Sequence, residues 1–182
     1  MENTNRPRWF WLLFAAAVLL QLGLPLGVVY EKNDILRNGA EFKIRTQPID
    51  PADPFRGRYV AIDVTVPVPE RIQSQGYLRR GYYLRLQADA EGFAQVAAIS
   101  ERPLDGAGVL HMRNASYYGN TFIRLPYDRY YMQEKLAPKA ERAYFARQGN
   151  AYVTVRVKNG KGVVSGLYLD DIRVEDYVRA GF

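Results

Sequence analysis

A chain of 182 residues with no cysteine and one histidine makes neither disulfides nor thiolate or multi-histidine metal centres, so packing alone has to hold its fold. Its 25 basic and 19 acidic side chains leave a net +6, and beyond residue 30 the balance is 23 against 18, a mild excess on a mixed, solvated surface. Arg79-Arg80 is the only adjacent basic pair and no recognition motif is present, which excludes nucleic acid as the expected partner. Absence of cysteine does not choose a compartment. Fourteen tyrosines and eight phenylalanines fit half-buried pleated surfaces and favour a β-rich domain.

The first element is apolar. Trp9 to Val29 carry no formal charge over 21 residues, which at about 1.5 Å per residue span the ~30 Å of a bilayer core. Trp9, Trp11 and Tyr30 stand where interfacial aromatic anchors belong. The stretch outruns a signal-peptide h-region and no small-x-small cleavage site follows, so the expectation is an uncleaved anchor. Pro25 leaves the carbonyl of Gln21 without its helical donor, which predicts a kink.

Charge counting sets the direction. Arg6, Arg8 and the terminal amine precede the span; Lys32, Arg37, Lys43 and Arg45 follow it but are mixed with Glu31, Asp34 and Glu41, and long domains translocate largely regardless of charge. The expected layout is a cytoplasmic tail over 1–8, a transmembrane anchor over 9–30, a connector over 31–39 closing at Asn38-Gly39, and a periplasmic domain over 40–182. That is a single-pass protein of the cell inner membrane with the lipid bilayer as its first partner.

Strands follow. Glu41 to Arg45 alternate, with Phe42 and Ile44 on one face. Pro48 to Gly57 is a proline- and aspartate-rich loop. In Tyr59 to Val66, the residues Val60, Ile62, Val64 and Val66 share one face and Tyr59, Asp63 and Thr65 the other. Tyr82 to Ala88 and Phe93 to Ile99, joined by Asp89-Ala90-Glu91-Gly92, predict a hairpin. Tyr152 to Lys158 and Lys161 to Leu169 predict another, since Asn159-Gly160 suits a type I′ turn. Between them Pro138 opens a helix in which Leu136, Ala140, Ala143 and Tyr144 recur at helical spacing before Gly149-Asn150. The predicted fold is mainly β (α+β): an N-terminal transmembrane helix plus one antiparallel β-rich domain with a docked helix.

Chemistry is sparse. His111 alone cannot make a multi-histidine metal site and reads as structural; Ser116 and Ser165 lack a nucleophile-elbow context. Asp170-Asp171 lacks an EF-hand pattern and reads as a strand-ending turn, so no metal or cofactor is expected. Glu134 and Glu141 would serve as a glycosidase-like pair only if the fold held them within about 5–10 Å.

Two blocks resemble a known family. Gln47 to Val64, with Gly57-Arg58-Tyr59-Val60-Ala61-Ile62-Asp63-Val64 after the proline-rich loop, is similar to the Gly-Asp-Tyr-x-x-Leu-x-Tyr stretch of the GDYXXLXY family of bacterial membrane-anchored proteins. Gly57 and Tyr59 are kept and Ile62 replaces leucine, while Arg58 stands for aspartate and Val64 for tyrosine. Arg129-Tyr130-Tyr131-Met132-Gln133-Glu134, with Glu141 seven residues on, resembles the family's Arg-Tyr-Phe-Val-Pro-Glu block and its later glutamate; Gly160 and Gly166-Leu167 also fit. The resemblance implies location and architecture and brings no reaction. Arginine is donor-only, so Arg58 needs an acidic partner such as Asp50 or Asp53.

Without a complete catalytic constellation, the chain is expected to be a non-catalytic accessory or interaction subunit with a membrane-protein partner. The candidate interaction or ligand surface is Asp50, Asp53, Arg56, Gly57 and Tyr59 with Tyr130, Tyr131, Glu134 and Glu141, since exposed tyrosines favour interfaces. The alternatives are a carboxylate-dependent hydrolase of cell-envelope polymers using Glu134 and Glu141, and a periplasmic ligand-binding domain.

Overall fold

The computed structural model describes residues 8–48, 59–73, 81–113, 117–118 and 121–181. Its elements in chain order are α1 (Arg8–Asn38), β1 (Ala40–Pro48), β2 (Tyr59–Pro67), α2 (Glu70–Gln73), β3 (Tyr82–Ala88), β4 (Ala94–Ser100) and β5 (Val109–Met112). There follow β6 (Tyr117–Tyr118), β7 (Phe122–Arg124), β8 (Arg129–Tyr131), α3 (Ala137–Ala146), β9 (Ala151–Lys158), β10 (Lys161–Leu169), β11 (Ile172–Arg173) and α4 (Val174–Ala180). The predicted class holds: a long apolar helix followed by antiparallel sheets with a docked helix.

α1 has 31 residues with Pro25 inside it, about 46 Å of helix. Its most apolar window has a mean hydropathy of 2.3 and none of it is buried, so it is long and apolar enough to cross a membrane and suits an anchor. The helix does not stop at Tyr30. It runs through the expected connector to Asn38, where it lies against β9 and β10.

Ile35 is buried, and Glu31 and Asp34, three residues apart on one helical face, reach the β9–β10 hairpin. There Lys158 and Lys161 stand directly opposite each other, a like-charge pair that destabilises a ladder on its own. Asp34 takes the Lys158 ammonium at 2.8 Å and Glu31 takes Lys161 at 2.5 Å. Gly39 ends the helix by donating its N–H to the Ile35 carbonyl at 2.8 Å. A Cβ there would lie 2.5 Å from that same backbone oxygen, so the joint requires glycine.

The large sheet has eight strands in the order β11-β10-β9-β1-β2-β7-β6, with β8 also pairing β2; the small sheet is β4-β3-β5. β1 changes neighbour along its length, pairing β9 over residues 40–45 and β2 over 46–48. The tight turn between β9 and β10 has Asn159 at φ 51° and Gly160 at φ 76°, as its sequence predicts. The turn between β10 and β11 repeats this geometry with Asp170 and Asp171, at φ 50° and 64°.

Register sorts the side chains of the large sheet into two rows. Inward lie Ile44 and Thr46 of β1, Val60, Ile62, Val64 and Val66 of β2, and Val153, Val155 and Val157 of β9, all buried. Against them pack Tyr82, Leu84 and Leu86 of β3, Val96 of β4, Leu110 and Met112 of β5, and the apolar faces of α3 and α4, in one core cluster. α3 follows the predicted spacing, burying Ala137, Ala140 and Tyr144, with Pro138 in its first turn. The Tyr144 hydroxyl lies 2.9 Å from Thr46 Oγ1, which donates to the Asp63 carbonyl at 2.8 Å, so this buried hydroxyl pair is satisfied while it ties α3 to β1 and β2. α4 is a further docked helix that the sequence reading did not resolve; Val174, Tyr177 and Val178 form its buried stripe.

Candidate functional site

The outward row starts at the family-like strand. Tyr59 of β2 pairs with Tyr131 of β8 and Ala61 with Arg129, so these side chains leave the sheet on the same side. The rings of Tyr59 and Tyr131 meet edge to face with centroids 6.0 Å apart, and the Arg129 guanidinium lies 5.1 Å above Tyr59. Tyr131 is 67% exposed. The two blocks that resemble the family are therefore brought together at Tyr59 and Tyr131. Asp50, Asp53, Arg56 and Gly57, and the proposed partners of Arg58, lie outside the described residues.

Tyr130 sits elsewhere. Adjacent residues of a strand point to opposite faces, so its ring enters the core beside Val60, and its hydroxyl donates to Glu175 Oε1 of α4 at 2.7 Å. Burial first and that hydrogen bond second push its pKa up to about 12. Tyr130 clamps the C-terminal helix to β8 rather than lining a surface.

Farther along the same face, cross-strand pairs carry the row over the sheet: Tyr168 beside Tyr152, Tyr152 beside Arg45, Gln47 beside Asp63, and Thr65 beside Arg124. Tyr152 and Tyr168 stack with centroids 5.0 Å apart, and Phe93 from the β3–β4 turn meets Tyr152 edge-on at 5.7 Å. Lys43 bridges backbone to backbone with Phe93, which brings that turn onto this face. Arg45 lies 4.4 Å above the Phe93 ring and pairs with Glu91; Arg124 pairs with Asp63 at 2.7 Å. The Tyr152 hydroxyl donates to Asp171 at 2.9 Å, and burial first, then this bond, push its pKa up to about 12.

Where β1 leaves β9 for β2, the sheet opens into clefts. One of about 720 Å³ lies between Arg45–Gln47 and Gly149–Tyr152, closed at its end by Asp170 and Asp171. A second of about 540 Å³ lies between Arg45, Gln47 and Thr65 under the turn 89–93, and a third of about 140 Å³ over Gln47, Asp63, Thr65 and Phe122. Alternation along β1 and β2 puts Arg45, Gln47, Asp63 and Thr65 on one polar face in the sequence. Their neighbours Phe93, Tyr152 and Asp171 come from distant segments and gave no local signal.

The remaining candidates are dispersed. Glu134 lies in the turn before α3 and Glu141 on α3, and neither lines these three clefts. His111 stacks on Tyr83 at 4.7 Å, and Ser165 shares a 2.9 Å hydrogen bond with Thr154. Among the described residues no three histidine or carboxylate side chains gather closely enough to hold a metal ion.

A family model described as GDYXXLXY protein matches residues 21–167, from the middle of α1 to near the end of β10. No curated protein and no solved structure matches the chain.

Proposed function

The chain belongs to the GDYXXLXY family, and on that premise we propose that it is a non-catalytic accessory or interaction subunit of a larger membrane assembly. In this reading α1 spans the cell inner membrane once, with the N-terminus in the cytoplasm and residues 40–182 in the periplasm. Arg6 and Arg8 before the span, and the mixed charges after it, support that direction.

One observation carries the proposal: the strand that bears the family signature spends its inward row on the core and turns Tyr59, with Tyr131 beside it, outward. A large aromatic at 67% exposure next to a second tyrosine and an arginine has the composition of a protein interface. The helix joint gives that face a use. Because α1 continues about eight residues past the span and is fixed to the β9–β10 hairpin by two ion pairs and Ile35, the domain is presented to a neighbouring membrane protein in one orientation.

A photo-cross-linking residue placed at Tyr131 of the full chain, in native membranes, tests this. A discrete larger species containing a second membrane protein is expected from position 131. A chain that stays monomeric from that position, under mild detergent and after irradiation alike, would remove the support.

A further inference from the structure

The three clefts share Gln47, and their lining crosses β7, β2, β1 and β9 to the β10–β11 turn. At about 4.8 Å per strand this makes a furrow roughly 19 Å long across the outward face. Its length, direction and charge each limit what fits.

The basic charges are spent internally. Arg45 is paired with Glu91, Arg124 with Asp63, and Arg147 with Asp170, so a polyanion such as a nucleic acid finds no basic excess. An extended peptide binds by adding to a strand edge through main-chain hydrogen bonds, and this furrow runs across strands instead of along an edge. An acyl chain needs an apolar lining along its whole length, and here only the second cleft is mostly apolar, the other two being about half polar. What the walls offer is the Gln47 amide, the Thr65 hydroxyl and partly exposed rings, with Phe122 40% exposed at one end and Phe93 at the other.

We propose that this furrow binds a linear, uncharged or zwitterionic polysaccharide of the cell envelope. Sugar hydroxyls exchange hydrogen bonds with Gln47 and Thr65, and the apolar faces of the sugar rings rest on Phe122 and Phe93. The envelope identity of the polymer rests on the periplasmic placement proposed above; the binding chemistry does not.

The test uses the purified full chain in detergent, titrated calorimetrically with two neutral probes, an N-acetylglucosamine tetramer and maltotetraose. Saturable binding of at least one is expected, weakened about tenfold by Gln47→Ala and by Phe122→Ala, both exposed positions, and unchanged by Tyr131→Ala. Melting curves of the variants establish that they fold. Absence of saturable heat with both sugars overturns the proposal, as does binding that ignores both furrow substitutions, or tighter binding of an unstructured decapeptide at the same residues. Because the titration is done on purified chain, a negative result counts on whichever side of the membrane the domain lies. Impermeant labelling that finds residues 40–182 in the cytoplasm would instead overturn the placement, and with it the envelope identity of the polymer.

Discussion

The two faces of β2 divide its residues between stability and contact. Val60, Ile62, Val64 and Val66 are at 0% exposure in one contiguous core, whereas Tyr59, Asp63 and Thr65, one residue away from them along the chain, make ring contacts, an ion pair and a cleft floor. The same alternation separates Tyr130 from Tyr131. One serves as an internal clamp and the other as an exposed ring, although they are neighbours and chemically identical. Position in a period-two pattern, more than residue type, decides the role here.

That contrast can be broken by paired substitutions. Ile62→Ala removes buried carbon from the inward row and is expected to cost about 2–5 kcal/mol, while Thr65→Ala on the outward row should stay within about 0.5 kcal/mol. Chemical unfolding of the detergent-solubilised chain reads both, and equal losses would mean that the outward row is also structural.

Next in size comes the tyrosine pair. Tyr130→Phe removes the hydrogen bond to the Glu175 carboxylate and is expected to cost about 1.5–3 kcal/mol, with Tyr131→Phe near zero in the same thermal melts. The pH dependence sharpens this. Tyr130 has its folded pKa raised to about 12 from an ordinary value near 10, so its contribution is complete below pH 10 and is lost as pH climbs through 12. Wild-type stability should therefore fall across that interval, and the fall should be shallower in Tyr130→Phe.

The smallest expected effect is at the joint. Asp34→Asn breaks the pair with Lys158 on a largely solvated surface, so global unfolding should hardly move. Amide hydrogen exchange from Ile35 to Gly39 should nevertheless quicken, because local opening and global stability are separate quantities. Unchanged exchange there would indicate that Ile35 packing alone fixes the helix.

Much of the fold was legible because alternation and turn chemistry are local. Phe42 and Ile44, the even-numbered residues of β2, and Asn159-Gly160 all announce their structure within a few residues. The connector misled for the converse reason: residues 31–38 look like a linker until the acids are matched with Lys158 and Lys161, more than 120 residues away in sequence. Tyr130 and Tyr131 were grouped as one surface against the period of the strand that holds them. The switch of β1 from β9 to β2, which opens the furrow, has no mark in the sequence, since it depends on which strands become neighbours. α4 left a short i, i+3, i+4 signal in Val174, Tyr177 and Val178, in a helix of only seven residues.

The claim beneath all of this is that α1 remains attached as a lasting tether and carries its fixed joint to the domain. Intact-mass analysis of the chain recovered from native membranes tests it most directly. The account expects a membrane-bound species that keeps the whole 31-residue helix with the domain. A shortened product that begins near Glu31 and partitions into the aqueous fraction would contradict it.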